Sequence, residues 1–299
     1  MDLINVLVQG IFLGSQFALV ATGLSLIYGV MRIINLAHGD LAILGAYLTW
    51  QFTTWFDISP FLALVIVIPI MLAVGYALQR IVLARSLRGG ELIPLLTTFG
   101  LAIVLQNGFQ EVFSSDSRGI GASSTISTGS WTISSQLSIP YLGVLVLAVA
   151  LAVLGGLQYV LSSTAFGREM RATAQDLDTA GLVGIPAAAV YARATAIAIA
   201  TAGIAGTFIG IRSTFDPHIG PTVLIYAFEA VIIGGLGSLW GTLYGGVILG
   251  IAQTLGAHFF GPSWQVLTGH FVFLAFLIAP RVKLLLPWLT RLSARKAAA

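Results

Sequence analysis

Few side chains in this sequence could take part in chemistry, and the densest group of them lies in RIINLAHGD, residues 32–40. Arg32, Asn35, His38 and Asp40 stand there among apolar residues. Ionisable side chains cost free energy when an apolar segment lies in a membrane, so they often mark a passage for ions or solutes. One interpretation is a broken helix that borders such a passage near its cytoplasmic end. The other is a cytoplasmic turn, in which Asn35 and His38 satisfy backbone groups and Asp40 caps the next helix.

Glu229 is the second candidate, because it lies in an otherwise apolar run. A carboxylate at that depth in a membrane is expected to be protonated or paired, for example with Arg212 or with a residue of a partner subunit. Its role is then either a structural hydrogen bond between helices or the lining of the passage. For Gln106, Asn107 and Glu111 we expect hydrogen bonds between helices.

Covalent, metal and nucleotide chemistry are not indicated. The chain has no cysteine, and its four histidines show no metal-ligand spacing; we interpret Gln253, His258 and His270 as structural. Lys283 and Lys296 are the only lysines, and neither stands in the G-x-x-x-x-G-K-[ST] pattern of a phosphate-binding loop. The chain also lacks the basic surface that nucleic-acid binding needs. The sequence therefore predicts no enzyme, no metal site and no cofactor bound by this chain.

The elements that must position these side chains are long apolar stretches, such as residues 3–31 and 58–79, which carry no charge. About 20 apolar residues cross the roughly 30 Å of hydrocarbon in a bilayer. Hydrophobic residues make up 57% of the chain and charged residues 8%, with a mean hydropathy of +0.96. The sequence predicts an all-α polytopic membrane protein, a single transmembrane domain over residues 1–299 with about 8–9 spans and broken or re-entrant segments. The candidate spans lie near residues 4–30, 40–55, 60–79, 92–112, 140–162, 190–211, 221–236, 240–257 and 264–280.

Two features of these spans bear on packing. The stretch 221–236 is short and holds Glu229, so we expect a crossing that is broken or locally unwound, covered by protein or water. Small residues four positions apart indicate close helix packing, either within this chain or against a second subunit. These pairs are Gly206/Gly210, Gly241/Gly245 and Gly246/Gly250.

The basic residues predict the orientation of the chain. With the N-terminus outside and the C-terminus in the cytoplasm, only Arg118 and Arg212 of the fourteen Lys and Arg fall outside. This distribution follows the enrichment of positive charge on the cytoplasmic side of membrane proteins. The others are predicted to be cytoplasmic: Arg32, Arg80, Arg85, Arg88, Arg168, Arg171, Arg193, Arg281, Lys283, Arg291, Arg295 and Lys296.

Two connecting loops are long enough to have a function of their own. The outer loop, 114–139, is rich in Ser, Thr and Gly. It is either a flexible periplasmic connector or a docking surface for an extracytoplasmic partner. The inner loop, 164–186, contains AFGREMRATAQDLDTAGLVGIP, and its pattern is more informative.

Within the inner loop, apolar residues recur at spacings of four and three, which predicts that they share one helical face. They are Phe166, Met170, Ala174 and Leu177, whereas Arg168, Arg171, Gln175 and Asp178 fall on another face. Gly184 and Pro186 end the helix and open the next one. Such an amphipathic helix either lies at the lipid interface or inserts its apolar side chains into a groove on a soluble partner.

These motifs carry a family resemblance over nearly the whole chain. The sequence closely resembles the permease subunits of ABC importers for branched-chain amino acids, and specifically the first of their two paralogous permeases. The first two of its markers together are quite specific, whereas the glycine-rich last one alone is weak. They are GLSLIYGVMRIINLAHGDLAILGAY (23–47), GREMRATAQDLDTAGLVGI (167–185), FDPHIGP (215–221) and IIGGLGSLWGTLYGGVILGI (232–251).

The resemblance implies an ABC importer permease fold in a bacterial inner membrane, with the 164–186 loop as a coupling helix that seats in an ATPase subunit. The physical argument agrees, because a chain without a phosphate-binding loop needs a partner that binds ATP, and 166–185 is the only segment long enough to be a rigid lever. For the passage we keep Asn35, His38, Asp40 and Glu229 as candidates. The coupling candidates are Phe166, Gly167, Arg168, Glu169, Met170, Arg171, Ala172, Asp176, Ala180, Gly181 and Gly184.

The same resemblance implies the partners and the mechanism. The partners are a paralogous second permease, two ATP-binding subunits that hold ATP and Mg²⁺, a periplasmic or lipid-anchored substrate-binding protein, and membrane lipid. The expected function is ATP-driven import of branched-chain amino acids by alternating access. Two alternatives stay open at this point: a related ABC permease for urea, short amides or another amino acid, and a stand-alone secondary transporter.

Overall fold

A computed structural model describes residues 3–90, 92–120, 128–132 and 138–279 of the chain. The described residues form helices and one short two-stranded antiparallel ribbon, β1 (Ser130–Thr132) and β2 (Ser138–Pro140). This confirms the predicted all-α architecture. The helices are α1 (Leu3–Met31), α2 (His38–Phe56), α3 (Pro60–Leu78), α4 (Leu92–Phe113), α5 (Tyr141–Ser163), α6 (Ala165–Gln175), α7 (Leu177–Leu182), α8 (Ala187–Arg212), α9 (Gly220–Gly234), α10 (Leu239–Phe260) and α11 (Trp264–Ala279).

Each of the nine predicted spans corresponds to one helix. In the described part of the chain, six helices are long and apolar enough to cross a membrane: α1, α3 with its continuation to Ser86, α4, α5, α8 and α10. The other three, α2, α9 and α11, are shorter or more polar. The predicted basic tail from Arg281 to Lys296 lies outside the described residues.

Two helices form the centre of the protein. In the most apolar 18-residue window of α8, 89% of the residues are buried, and in α1 67%, against 22% in α3, α4 and α5. Helix α1 packs on α8 and α10, and α8 also packs on α2 and α3. The outer helices expose apolar side chains such as Val65 and Val104, which hydrocarbon tolerates. Most side chains of α1 and α8 are therefore shielded from lipid by the other helices.

Glycines bring the central helices into close contact. A Cβ atom at Gly206 would collide with the carbonyl oxygen of Ala42 on α2, and Gly246 lies against the backbone of Gly14 on α1. Gly241 and Gly245 pack in the same way on the end of α9. The predicted packing role is confirmed, and these glycine faces are occupied within the chain rather than left for a second subunit.

The prediction of a broken or locally unwound crossing over 221–236 is wrong for residues 221–234, which are helical. Helix α9 is continuous over 15 residues, which span only about 22 Å at 1.5 Å per residue. The irregular backbone lies at its two ends instead, in 213–219 and in the turn 235–238, where Gly235 and Gly237 have positive φ angles of 92° and 83°. The stretch is short because it begins and ends at these turns.

The described part of the outer loop is attached to the helices. The backbone of Arg118 exchanges two hydrogen bonds of 2.8 Å with Phe215, and its guanidinium lies 4.0 Å from the ring centre of Trp50. Ile120 donates a backbone hydrogen bond to Gly210. Residues 115–120 are therefore not a free connector, while 121–127 and 133–137 of the predicted 114–139 loop lie outside the described residues.

The glycine contacts predict opposite outcomes for the same substitution at two helical positions. Gly206→Ala forces the α2 and α8 backbones apart, so we expect a loss of about 1–3 kcal/mol of stability and a lower thermal midpoint in detergent. Gly156→Ala on α5 meets no atom within 4 Å, so its midpoint should stay equal or rise, since alanine favours the helix. Equal midpoints for the two variants would contradict the packing described here.

Candidate functional site

The inner loop forms two short helices rather than one. Thr164 starts α6 by accepting a hydrogen bond on Oγ1 from the Gly167 N–H at 3.0 Å. Asp176 then interrupts the helix with extended backbone and caps α7, because its Oδ1 accepts from the N–H groups of Asp178 and Thr179. These bonds hold the pKa of the Asp176 carboxyl below its usual range. The predicted continuation of one helical face to Leu177 is therefore wrong.

The apolar face of α6 packs on the protein itself. Met170 is only 1% exposed, and Phe166 lies against the same cluster, which includes Leu154 of α5 and Val190 of α8. Gly167 fits against the carbonyl groups at the end of α5, where a side chain would collide. This face is thus available neither to lipid nor to a groove on a partner.

A polar contact joins α6 to the central helix. Glu169 lies 3.5 Å from Arg193 of α8, and the Arg193 guanidinium is 5.5 Å from the centre of the Phe166 ring. Partly exposed ion pairs contribute little to stability, but the two contacts fix the direction of α6 relative to α8. The inner loop is therefore attached to the most buried helix of the described structure.

The opposite side of the loop faces away from the protein. Of the predicted coupling residues, Arg168, Arg171, Asp176, Gly181 and Gly184 are exposed, Phe166, Glu169 and Ala172 are half-buried, and Gly167, Met170 and Ala180 are buried. The most exposed large apolar side chains of the loop are Leu182 at 87% and Val183 at 73%, ahead of Leu177 at 47%. The sequence prediction did not name these two residues, although their position between Gly181 and Gly184 in a polar loop was a usable signal.

The polar cluster at 35–40 lies inside the helix bundle. His38 is within hydrogen-bond distance of the Val20 carbonyl, Nε2 to O 3.0 Å, and Val20 is in the middle of α1. The chain therefore runs back along α1 after Arg32, which has a positive φ of 54°, and α2 begins at that depth. The cytoplasmic-turn interpretation is wrong in position, but the expected backbone satisfaction is observed, because Asn35 Oδ1 accepts from the Ala37 N–H.

The same interpretation expects Asp40 to cap α2, and the structure contradicts this. Asp40 lies in the first turn of the helix, and its Oδ1 accepts a hydrogen bond of 3.1 Å from Gln106 Nε2 on α4. The predicted interhelical role of Gln106 is confirmed, whereas Asn107 donates to a carbonyl of its own helix. In the described structure, Asn35 Nδ2, His38 Nδ1 and Asp40 Oδ2 are buried without a hydrogen-bond partner.

Glu229 pairs with a residue that the sequence did not suggest. Its Oε1 lies 2.5 Å from His270 Nδ1, so the contact joins α9 to α11. The suggested partner Arg212 instead donates to Gln16 on α1, at 2.7 Å. The sequence offered no signal for the Glu229–His270 pair, since the two residues are 41 positions apart. A role in helix pairing is observed here; the role in a passage stays a prediction.

Comparison with known proteins places the chain in a family. The family model described as "Branched-chain amino acid transport system / permease component" matches residues 6–280. The chain is 34% identical to the high-affinity branched-chain amino acid transport system permease protein BraD of Pseudomonas aeruginosa, over 87% of this chain and 88% of BraD. It is 29% identical to LivH of Escherichia coli, over 91% of this chain and 92% of LivH.

Among solved structures, the chain matches PsaBC from Streptococcus pneumoniae in complex with Fab. The TM-score is 0.45 with 16% identity, over 92% of this chain and 91% of that one. The family model and the two sequence relatives extend over nearly all of the described helices. The chain therefore belongs to the family of permease components of branched-chain amino acid transport systems.

Proposed function

We propose that this chain moves branched-chain amino acids across the membrane as the permease of an ABC importer. As a member of this family it is a multi-pass membrane transport component and not itself catalytic, and ATP binding lies on a partner ATPase. The family match over residues 6–280 is the observation that carries the proposal. The names of BraD and LivH supply the substrate class. Membership in this family disfavours a stand-alone secondary transporter.

The proposed assembly contains a paralogous second permease, two ATP-binding subunits and a substrate-binding protein that delivers the amino acid from outside. The exposed inner loop supports an ATPase partner, because it presents apolar side chains where the chain itself offers them no contact. We assign the docking contact to Leu177, Leu182 and Val183 together with the exposed Arg168 and Arg171. The buried Gly167, Met170 and Ala180 support the loop from beneath.

Coupling then follows from how the loop is attached. Helix α6 is joined to α8 through Glu169 and Arg193 and to α5 through the Thr164 cap. A cavity of about 430 Å³ lies beneath the loop, lined by residues such as Ser25, Met170 and Gly237. This space lets the loop move when the ATPase closes, and the move shifts α8 against α1 and α3.

We propose that the buried polar cluster borders the passage. Asn35, His38 and Asp40 keep unpaired polar atoms inside the described bundle, and α2 starts beside the middle of α1 rather than at its end. An interrupted helix of this kind is a common location for substrate pathways in transporters. Glu229 and His270 would then hold α9 and α11 together at the side of the passage.

Uptake measurements test the proposed substrate class. We expect the chain, reconstituted in proteoliposomes with its co-expressed transport partners and ATP on the ATPase side, to accumulate leucine, isoleucine and valine. Urea and acetamide should not accumulate under the same conditions, because neither compound carries the branched apolar side chain of these amino acids. Uptake by the purified chain alone, driven by an ion gradient without ATP, would reject the proposal.

The docking contact is tested by placing charge on the exposed apolar pair. Leu182→Asp with Val183→Asp should leave folding unchanged, since both side chains are exposed, and should lower ATP-driven uptake roughly tenfold or more by weakening the docked interface. Ser163→Asp adds a negative charge at an exposed position at the end of α5, outside the assigned contact, and serves as the control. If the double variant kept full uptake and still co-purified fully with the ATPase, the assignment of the docking contact to Leu182 and Val183 would be rejected.

The proposed orientation is open to a labelling experiment, because the chain contains no cysteine. Thr214→Cys, on the side proposed to be periplasmic, should react with a membrane-impermeant maleimide on intact spheroplasts. Gln175→Cys on the inner loop should react only after the membrane is permeabilised. The reverse pattern would place the loop on the wrong side for a cytoplasmic ATPase.

A further inference from the structure

A second cavity lies at the opposite end of the bundle from the coupling loop. It has a volume of about 350 Å³ and lies between α1, the end of α8, and helices α9, α10 and α11. This volume is at the lower end of the range for small-molecule sites, about 300–1,000 Å³. None of Asn35, His38 and Asp40 lines this cavity, although Val20, whose carbonyl contacts His38, does. The inner loop does not line it either.

The wall of the cavity includes an exposed arginine that has no ion-pair partner among the described residues. Arg212 lines it, and the guanidinium Nη1 donates to Gln16 Oε1 at 2.7 Å. No carboxylate of the described residues lies within 4.0 Å of this guanidinium. An arginine has five N–H donors in a planar fork that fits a carboxylate. The contact with Gln16 orients the fork and leaves donors for an anionic group.

A buried amide supplies a second donor. Gln253 of α10 lines the same cavity and is 2% exposed, and its Nε2 has no hydrogen-bond partner among the described residues. A buried N–H group without a partner costs free energy, so such groups are rare in folded proteins. This Nε2 lies beside Gly269 of α11, and a rotation of the Gln253 side chain would let a ligand oxygen in the cavity satisfy the donor.

The rest of the wall is apolar. Leu13, Phe17 and Val20 from α1 face Ile209 of α8 and Val223 of α9 across the cavity. Four of these five side chains come from the two helices α1 and α8. The cavity thus combines an anion-binding end with an apolar wall, which matches a small carboxylate that carries a branched aliphatic tail.

From this combination we infer that the cavity binds the transported amino acid, with its α-carboxylate on Arg212 and Gln253 and its aliphatic side chain against α1 and α8. The inference rests on the proposed function and adds a receiving site within the permease. Arg212 is at the end of α8 that we propose faces the periplasm, so the site would take the amino acid when the binding protein releases it. An anionic lipid headgroup with its tail shares this chemistry and is separated by the experiment below.

Ligand binding is measured on the purified full-length chain in nanodiscs of neutral lipid, as the thermal midpoint with L-leucine, L-leucinamide, 4-methylpentanoate or added phosphatidylglycerol. We expect leucine and 4-methylpentanoate to raise the midpoint, and leucinamide, which lacks the carboxylate, to have no effect. Arg212→Gln should require a roughly tenfold to hundredfold higher leucine concentration, because a charge-assisted hydrogen bond is lost.

Two further variants distinguish a loss of ligand binding from a loss of folding. Arg212→Lys keeps the charge and should keep part of the response, while Gln253→Leu should weaken it with the cation in place. Arg80→Gln removes an exposed arginine at the other end of the bundle and is the control, with an unchanged response to leucine. An equal response of the wild type, Arg212→Gln and Gln253→Leu to leucine would overturn the inference.

The remaining outcomes also decide whether the cavity binds the amino acid. Stabilisation by phosphatidylglycerol alone, lost in Arg212→Gln, would make the cavity a lipid site and overturn the inference, as would no stabilisation by any of the four compounds. Uptake separates this result from the proposed function. Wild-type leucine uptake that persists unchanged in Arg212→Gln rejects the cavity and keeps the function, whereas no leucine uptake by the wild-type assembly rejects the function itself.

Discussion

Inside a bilayer no water is available to bind polar groups, so each one must find its partner within the protein. The buried contacts of this chain follow from that constraint: His38 with the Val20 carbonyl, Asp40 with Gln106, and Glu229 with His270. Each pair joins two different helices, so the polar residues also fix how the helices lie. Where an atom lacks a partner in the described bundle, as in Asp40 and Gln253, the surroundings are those in which a solute would supply one.

Close backbone packing provides the complementary requirement. Without a hydrophobic force between helices in lipid, small residues allow the approach that makes van der Waals contact effective. Gly206 against Ala42 and Gly246 against Gly14 place α8 and α1 at the centre of the bundle. The inner loop is attached to α8 and the outer cavity is lined by it, so the same buried helix connects both ends of the protein.

The sequence predicted the helices well and the contacts between them less well. Span positions follow from the length of uncharged runs, which is a local property. The partner of Glu229 depends on how α9 and α11 are placed in space, and nothing near either residue indicates it. The depth at which the chain returns after Arg32 was likewise left open, because RIINLAHGD fits a cytoplasmic turn as well as a broken helix that borders the passage. The Asp176 cap was readable in principle, since aspartate before a short helix is a preferred capping residue, but the apolar spacing through Leu177 suggested a continuous helix.

The packing of the inner loop on its own chain has a consequence for biogenesis. Helix α6 is held by contacts of Met170, Thr164 and Glu169 within its own chain, so its position does not depend on a contact with another subunit. A permease without its proposed ATPase partner would still expose Leu182 and Val183. Exposed apolar surface of this kind favours non-specific association, and the proposed docking would cover it. A copy of this subunit in excess of its proposed ATPase partner would then keep these two apolar side chains uncovered.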